Sequence, residues 1–145
     1  MQVKDFLLPR NVLTDVRGAD KISVVRELAR AAGAALEIPA DAIASALLKR
    51  EQLGSTGMGN GIAIPHARVA AVTHPFGLFA RLKQPVEFDA VDGQPVDLVF
   101  VLLLPAAEGD INALACAARS LRDPDVLAAL RNAKDGKALY RLLTS

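Results

Sequence analysis

The sequence has one cysteine, no tryptophan and few aromatic residues of any kind, which together make up 4% of its 145 residues. Because a lone cysteine, Cys116, cannot form a disulfide within the chain, this composition favours a reducing compartment, and we expect a cytoplasmic protein. The scarcity of aromatic side chains argues against a surface on which nucleic-acid bases stack. We expect Cys116 itself to be a small buried apolar residue on a helix.

The sequence also lacks an excess of charge of one sign and any long apolar run. Its formal net charge is +1 with both signs interspersed, so no basic stripe is present to attract nucleic acid. The best apolar run, Leu98 to Leu104, is far shorter than the roughly 18 residues that a membrane-spanning helix needs. The N-terminus does not have the pattern of a signal peptide. We therefore expect neither nucleic-acid binding nor direct membrane insertion.

Hydrophobic periodicity predicts an α/β architecture. Asp20 is suited to cap a helix that ends near Gly33, and Pro39 suits the first turn of a second helix that ends near Leu53. Strands are predicted over residues 11–16, 62–64, 76–82, 86–88 and 96–104, and further helices over about 111–121, from 126 onward and over 135–143.

The segment VDLVFVLLL, from Val96 to Leu104, is apolar at nearly every position. A strand that is apolar on both faces is covered on both sides, which places it in the centre of a sheet. Because the chain has neither an internal repeat nor a low-complexity linker, we expect residues 1–145 to form one domain, an α/β/α sandwich of three layers.

The segment GSTGMGNGIAIPHAR, from Gly54 to Arg68, contains the residues best suited to chemistry. Four glycines between Gly54 and Gly61 predict a loop. Ile62 follows the last glycine, where a Walker loop needs Lys and Ser or Thr, and the glycines follow a predicted helix, unlike those of a dinucleotide fingerprint. What remains is His66, which comes just past a strand and directly after Pro65.

His66 is a candidate nucleophile. Imidazole has an unperturbed pKa of about 6.5, so its neutral form is available to attack phosphorus, and Arg50 and Arg68 can supply positive charge to the phosphoryl oxygens. The residues expected to contact that group through hydroxyl or backbone N–H donors are Ser55, Thr56, Gly57 and Asn60. The plainer interpretation also stands, because histidines at strand ends are more often structural, glycines often serve turns, and arginines are by default solvated.

Two longer segments carry a resemblance to a known family. REQLGSTGMGNGIAIPHAR, from Arg50, and FDAVDGQPVDLVFVLLLPA, from Phe88 to Ala106, resemble the phosphotransferase-system IIA components of the fructose–mannitol class, and within that class the nitrogen-regulatory IIA proteins. The resemblance covers nearly the whole chain. It implies a mixed sheet of about five strands with helices on both faces, and no metal or other cofactor.

The resemblance also implies roles for particular residues. His66 matches the histidine that accepts a phosphoryl group from a phosphohistidine on an HPr-type carrier, and Arg50 matches an arginine near it. Where the family places a second histidine, this sequence has Asp110, whose carboxylate can accept the imidazole N–H but cannot donate to phosphate. His74, before Pro75, is interpreted as a turn residue.

Three functions are compatible with these residues. The first is a regulatory phosphoprotein whose phosphorylation state controls partner proteins. The second is a component of a sugar permease that passes the phosphoryl group to a IIB domain. The third is an interaction module in which the replacement of the second histidine by Asp110 has impaired transfer.

Overall fold

The computed structural model describes residues 1–107 and 112–145, and in that part of the chain six strands and five helices follow a short 3₁₀ turn. The strands are β1 (Leu7–Val16), β2 (Gly57–Gly59), β3 (Ile62–Ala63), β4 (His66–Val69), β5 (Phe76–Val86) and β6 (Val96–Pro105). The helices are α1 (Lys21–Leu36), α2 (Ala40–Glu51), α3 (Asn112–Ser120), α4 (Pro124–Asn132) and α5 (Gly136–Thr144). Among the described residues, no helix combines the length and apolar character needed to cross a membrane.

The centre of the sheet is β6, as its apolar sequence predicts. It pairs antiparallel with β5 along one edge and parallel with β3 and β4 along the other, and β1 extends the sheet in parallel with β5. Alternate residues of β6 point to opposite layers. Val99, Val101 and Leu103 face the layer of α1 and α2, whereas Leu98, Phe100, Leu102 and Leu104 face the layer of α3, α4 and α5. The prediction of a three-layer α/β/α fold with a mixed sheet is confirmed, with one short strand more than expected.

Several element boundaries differ from the sequence-based ones. The first strand begins at Leu7 rather than Asn11. The strand predicted over 76–82 continues to Val86 as β5, with an irregular register, and residues 87 and 88 of the predicted strand 86–88 lie outside it. Asp20 caps α1 as predicted, accepting from the Ser23 N–H at 2.8 Å. The helix continues past Gly33 to Leu36, and it is closed by Glu37, which adopts the left-handed conformation (φ 57°).

The glycine-rich segment was predicted as a loop, and this is wrong for its second half. Residues 57–59 form β2, which pairs antiparallel with β3. The turn between the two strands consists of Asn60 (φ 59°) and Gly61 (φ 79°). Two consecutive positive φ angles are what a tight two-residue hairpin requires, and Asn-Gly is its commonest sequence. We call residues 54–63 the glycine hairpin.

The strands β3 and β4 lie one after the other along the same edge of β6. Ile62 and Ala63 pair with the beginning of β6, and pairing resumes where His66 lies opposite Leu102. Between these two stretches, the carbonyl of Pro65 accepts a hydrogen bond of 2.9 Å from the N–H of Leu102. His66 is therefore the first residue of a strand that the central strand holds in register.

Candidate functional site

The imidazole of His66 is half-buried and held by its own backbone. Its Nδ1 lies 2.8 Å from the carbonyl oxygen of Ile64. Because a carbonyl oxygen can only accept a hydrogen bond, Nδ1 carries the proton, and the lone pair of the neutral ring is on Nε2. The intervening Pro65, whose φ is restricted by its ring, helps to set this turn.

Two surface cavities meet at His66. The first, of about 660 Å³, is lined by cationic and apolar side chains that include Lys49, Arg50, Arg68 and Leu53. The second, of about 610 Å³, lies between the glycine hairpin and α3. His66 and Arg50 line both cavities. The ring is thus open to solvent at a junction that an incoming group can reach from either side.

The two arginines singled out in the sequence both share a cavity with His66, and each is tethered to backbone carbonyls. Arg50 donates from Nη1 to the Gly54 carbonyl at 3.1 Å. Arg68 donates from Nη1 to the carbonyls of Pro105 and Ala107, at 2.9 and 3.0 Å. A guanidinium has five N–H donors, so these bonds leave others for an anion.

The cation Lys49, which also lines the first cavity, was missed by sequence reasoning. It is exposed and lies beside Arg50 in the last turn of α2. Nothing in its sequence position distinguishes it from an ordinary solvated lysine.

Three of the predicted phosphoryl-binding residues, Ser55, Thr56 and Gly57, line the second cavity. The two hydroxyls and the N–H groups of Thr56 and Gly57 are engaged in hydrogen bonds within the protein. The hydroxyl of Ser55 donates to the Phe88 carbonyl and accepts from the N–H of Gly57 at 2.9 Å. The hydroxyl of Thr56 donates to the carboxylate of Glu51, and the Thr56 N–H donates to the same carboxylate at 3.1 Å. In this arrangement the hydroxyls of Ser55 and Thr56 form part of the cavity wall and are not free to donate to a phosphoryl group.

Asn60 lies apart from His66. It is in the hairpin turn, beside a smaller cavity that His66 does not line. Its N–H donates to Asp92 at 3.0 Å and its carbonyl accepts from Arg131. The N–H of Asn60, followed by that of Gln94, lowers the pKa of the Asp92 carboxyl below its usual value.

The remaining residues named in the sequence have simpler positions. Asp110 lies outside the described residues. His74 is exposed just before β5, and Cys116 is buried in α3 with 7% of its surface exposed, as predicted. Over residues 1–107 and 112–145, no group of three His, Cys, Asp or Glu side chains is arranged to hold a metal ion.

A buried ion pair behind the glycine hairpin was also missed. Glu51, the last residue of α2, pairs with Lys21 at 2.8 Å, and its side chain is 5% exposed. A signal for it exists in the sequence, because Ile43, Leu47 and Glu51 are spaced by four residues and lie on one helix face. A carboxylate in line with two core residues predicts a buried and therefore partnered charge.

Exposed apolar side chains surround the junction of the two cavities. Leu53 is 84% exposed at the first cavity, whereas Met58 and Val91, at the second, are 51% and 81% exposed. We call these three residues the apolar rim. Exposed apolar groups clustered around a reactive side chain are typical of a surface that docks another protein.

Comparison with known proteins places these features in context. Residues 5–145 match the family described as phosphoenolpyruvate-dependent sugar phosphotransferase system, EIIA 2. The chain is 41% identical over 145 residues to a nitrogen regulatory protein of Bradyrhizobium diazoefficiens, a match that covers 99% of this chain and 95% of the relative. It is 41% identical over 105 residues to a PTS system fructose-specific EIIA component of Haloferax volcanii, covering 71% and 68% of the two chains. The crystal structure of the nitrogen regulatory protein IIA-Ntr from Neisseria meningitidis superposes with a TM-score of 0.89 at 29% identity, covering 98% of this chain and 99% of that one.

Proposed function

The chain belongs to the EIIA 2 family of the phosphoenolpyruvate-dependent sugar phosphotransferase system, and on this premise we propose that it carries a phosphoryl group on Nε2 of His66. The observation that carries the proposal is the 2.8 Å hydrogen bond between Nδ1 and the Ile64 carbonyl. It places the proton on one nitrogen and leaves the lone pair on the other, at the junction of two open cavities. The nucleophile therefore needs no general base.

The donor is a phosphohistidine on an HPr-type carrier protein. The lone pair of Nε2 attacks phosphorus while the bond between phosphorus and the donor nitrogen breaks, and the donor imidazole keeps that electron pair. The His66 ring gains positive charge in this step, and its Nδ1–H remains bonded to the Ile64 carbonyl, which stabilises that charge. Phosphoryl transfer of this kind depends mainly on positioning and on charge stabilisation.

The cations around His66 supply that stabilisation. Arg50 and Arg68 share the first cavity with the imidazole and retain unused N–H donors, while Lys49 adds a further positive charge at its edge. The apolar rim gives a carrier a desolvated surface on which to dock.

The output of the reaction is regulatory. A phosphoryl group adds up to about two negative charges, and on His66 these would arise beside the apolar rim, where they change which partner proteins bind. The resemblance to nitrogen regulatory proteins over nearly the whole chain favours this role. The protein acts in the cytoplasm, where its phosphoryl donor is found.

A second candidate function is transfer of the phosphoryl group to a IIB domain of a sugar permease. It is favoured by the 41% identity to a fructose-specific EIIA component. Incubation of the phosphorylated chain with a purified fructose IIB domain separates the two functions. Rapid and complete loss of label to the IIB domain supports the permease role, whereas retention supports the regulatory one.

The assignment of His66 is tested by labelling with a ³²P-phosphorylated HPr-type carrier. We expect label that is labile in acid and stable in alkali, as for a nitrogen–phosphorus bond, and complete loss of label in His66→Ala. The exposed histidine provides the matched control, because His74→Ala should label like the wild type. Label that persists in His66→Ala contradicts the assignment. A large gain of label in Asp110→His would instead show that transfer is impaired in the natural chain.

A further inference from the structure

We propose that Glu51 is a positioning residue for His66 and acts through the backbone of Thr56 and Ile64. This inference rests on the proposed function, since it concerns how the phosphoryl-accepting imidazole is held. Glu51 lines neither of the cavities that His66 lines. Its contribution is therefore to the orientation of the imidazole and not to contact with the phosphoryl group.

Three hydrogen bonds connect the buried carboxylate to the imidazole. Oε1 of Glu51 accepts from the N–H of Thr56 at 3.1 Å. The carbonyl of Thr56 accepts from the N–H of Ile64 at 3.1 Å. The carbonyl of Ile64 accepts from Nδ1 of His66 at 2.8 Å. Thr56 and Ile64 are each held at both their N–H and their carbonyl, so the position of the carboxylate fixes the carbonyl that orients the ring.

The carboxylate is itself held from several sides. Besides the Thr56 N–H, it accepts from the Thr56 hydroxyl and pairs with Lys21 at 2.8 Å. Nζ of Lys21 in turn donates to the carbonyl of Phe88 at 3.4 Å and lies 5.2 Å from the centre of the Phe88 aromatic ring. A buried carboxylate with three donors has little freedom to rotate, and only a carboxylate can accept from all of them at once.

Catalysis is sensitive to this kind of support. Displacement of a reacting group by about 1 Å can cost roughly 10²-fold in rate. If the Ile64 carbonyl moves away from Nδ1, the neutral ring is free to place its proton on Nε2. The lone pair is then on Nδ1, and Nε2 has none with which to attack phosphorus. Glu51 thus controls both the orientation of the His66 ring and the fraction of molecules in which Nε2 carries the lone pair.

The test combines a small phosphoryl donor with a direct observation of the ring. Phosphoramidate phosphorylates histidine without protein docking, so its maximal rate reports on the imidazole alone. Long-range ¹⁵N NMR of the two histidines reports the tautomer of His66, with the exposed His74 as an internal reference. The variants are Glu51→Gln, which keeps the shape but offers one acceptor oxygen, and Thr56→Val, which removes only the hydroxyl.

One control matches these variants. Glu27→Gln removes an exposed carboxylate that pairs with Arg30 on α1. We expect it to retain the wild-type rate within twofold and the Nδ1–H tautomer.

For Glu51→Gln we expect a loss of maximal rate of about 10- to 100-fold together with a mixed tautomer signal from His66. For Thr56→Val we expect a loss of about fivefold, the equivalent of one net hydrogen bond, with a smaller change of the same NMR signal. A folded Glu51→Gln variant with the wild-type tautomer overturns the proposal, whether or not its rate falls. If that variant does not fold, Thr56→Val decides, and wild-type behaviour there overturns the proposal as well.

Failure of the proposed function gives a different pattern. If neither phosphoramidate nor the phosphorylated carrier labels the wild-type chain, His66 is not a phosphoryl acceptor. The NMR comparison of Glu51→Gln with the wild type still shows whether the carboxylate orients the ring.

Discussion

The turn of the glycine hairpin offers a quantitative test of how the wall beside His66 is held, through the substitution Gly61→Ala. Gly61 has φ +79°, and a Cβ at this position would overlap the Nη2 of Arg131 and lie 2.8 Å from the Oδ1 of Asp97. Arg131 donates to Asp97 through Nε and Nη2 and also to the Asn60 carbonyl in the turn. It thereby joins α4 to both β6 and the hairpin.

The expected cost has a backbone part and a side-chain part. An alanine forced into the left-handed region costs about 1 kcal/mol or somewhat more, of which about 0.5 kcal/mol is offset by the smaller entropy of the unfolded chain. Both atoms that the new methyl group meets are ends of flexible side chains, so the overlap is relieved when the Arg131–Asp97 pair moves away. That movement loses an exposed ion pair, worth about 0.5 kcal/mol, and a hydrogen bond to the Asn60 carbonyl, worth about 1 kcal/mol.

The two parts are separated by a matched glycine. Gly93 has φ +72°, and nothing lies within 4 Å of a Cβ built on it, so Gly93→Ala bears the backbone cost alone. We expect Gly61→Ala to be less stable than Gly93→Ala by about 1.5 kcal/mol in urea denaturation, which corresponds to a melting temperature lower by about 5 °C. Its carrier-dependent labelling should also fall, because the hairpin forms one wall of the second cavity.

Equal stability of the two glycine variants would refute this reasoning, since the link from Arg131 would then contribute nothing. A double-mutant cycle adds a second criterion. In the background of Arg131→Ala, Gly61→Ala should lower the free energy of unfolding by no more than Gly93→Ala does in the wild type. If the loss is as large as without Arg131→Ala, the cost of the new methyl group does not arise from Arg131.

Two further predictions concern docking and pH. Met58→Asp should raise the carrier concentration that gives half-maximal labelling about tenfold, as expected for an interface residue worth more than 1 kcal/mol, while the phosphoramidate rate stays within twofold. The control is Ile22→Asp on α1, whose side chain is comparably exposed and which should change neither quantity. An equal effect of both variants would contradict a docking role for Met58. The pKa of Asp92 in the folded chain is lowered by the Asn60 N–H. The contribution of this carboxylate to the stability of the fold is therefore present above the usual carboxyl pKa and is lost as pH falls through the lowered value. The NMR signal of the Asn60 amide should titrate with a midpoint below the usual Asp pKa and should lose this transition in Asp92→Asn, whereas a midpoint at the usual value would disprove the linkage.

The parts of the fold that the sequence predicts are those in which the apolar or polar character of the side chains reflects whether they are buried. Every residue of β6 from Leu98 to Leu104 is apolar because both faces are covered, and the central position of the strand follows from that. The hairpin strand β2 was missed because its two glycines have no side chains to show an alternating pattern. Only the Asn60–Gly61 pair, the signature of a two-residue turn, indicated it.

For the candidate site, closeness in sequence correctly predicted which residues lie near His66, but not the direction in which their hydroxyl groups donate. His66, Arg50 and Arg68 line one cavity, as their place in a single motif suggested. The hydroxyls of Ser55 and Thr56 point instead to Phe88 and Glu51. The Phe88 carbonyl lies far along the chain, and the direction of the Thr56 hydroxyl follows from how the hairpin folds back onto the end of α2, so neither partner is visible before the fold is known.

The way in which the two arginines are tethered bears on how such a site can accept a phosphoryl group and still release it. In the described part of the chain, Arg50 and Arg68 bind neutral backbone carbonyls and form no salt bridge. A carbonyl restrains a guanidinium, whose free side chain has about 2 kcal/mol of rotamer entropy, without cancelling its charge as a carboxylate would. The cations are therefore in place before the carrier docks, and the stabilisation they give to the charge in transfer does not require them to bind the phosphoryl group tightly afterwards.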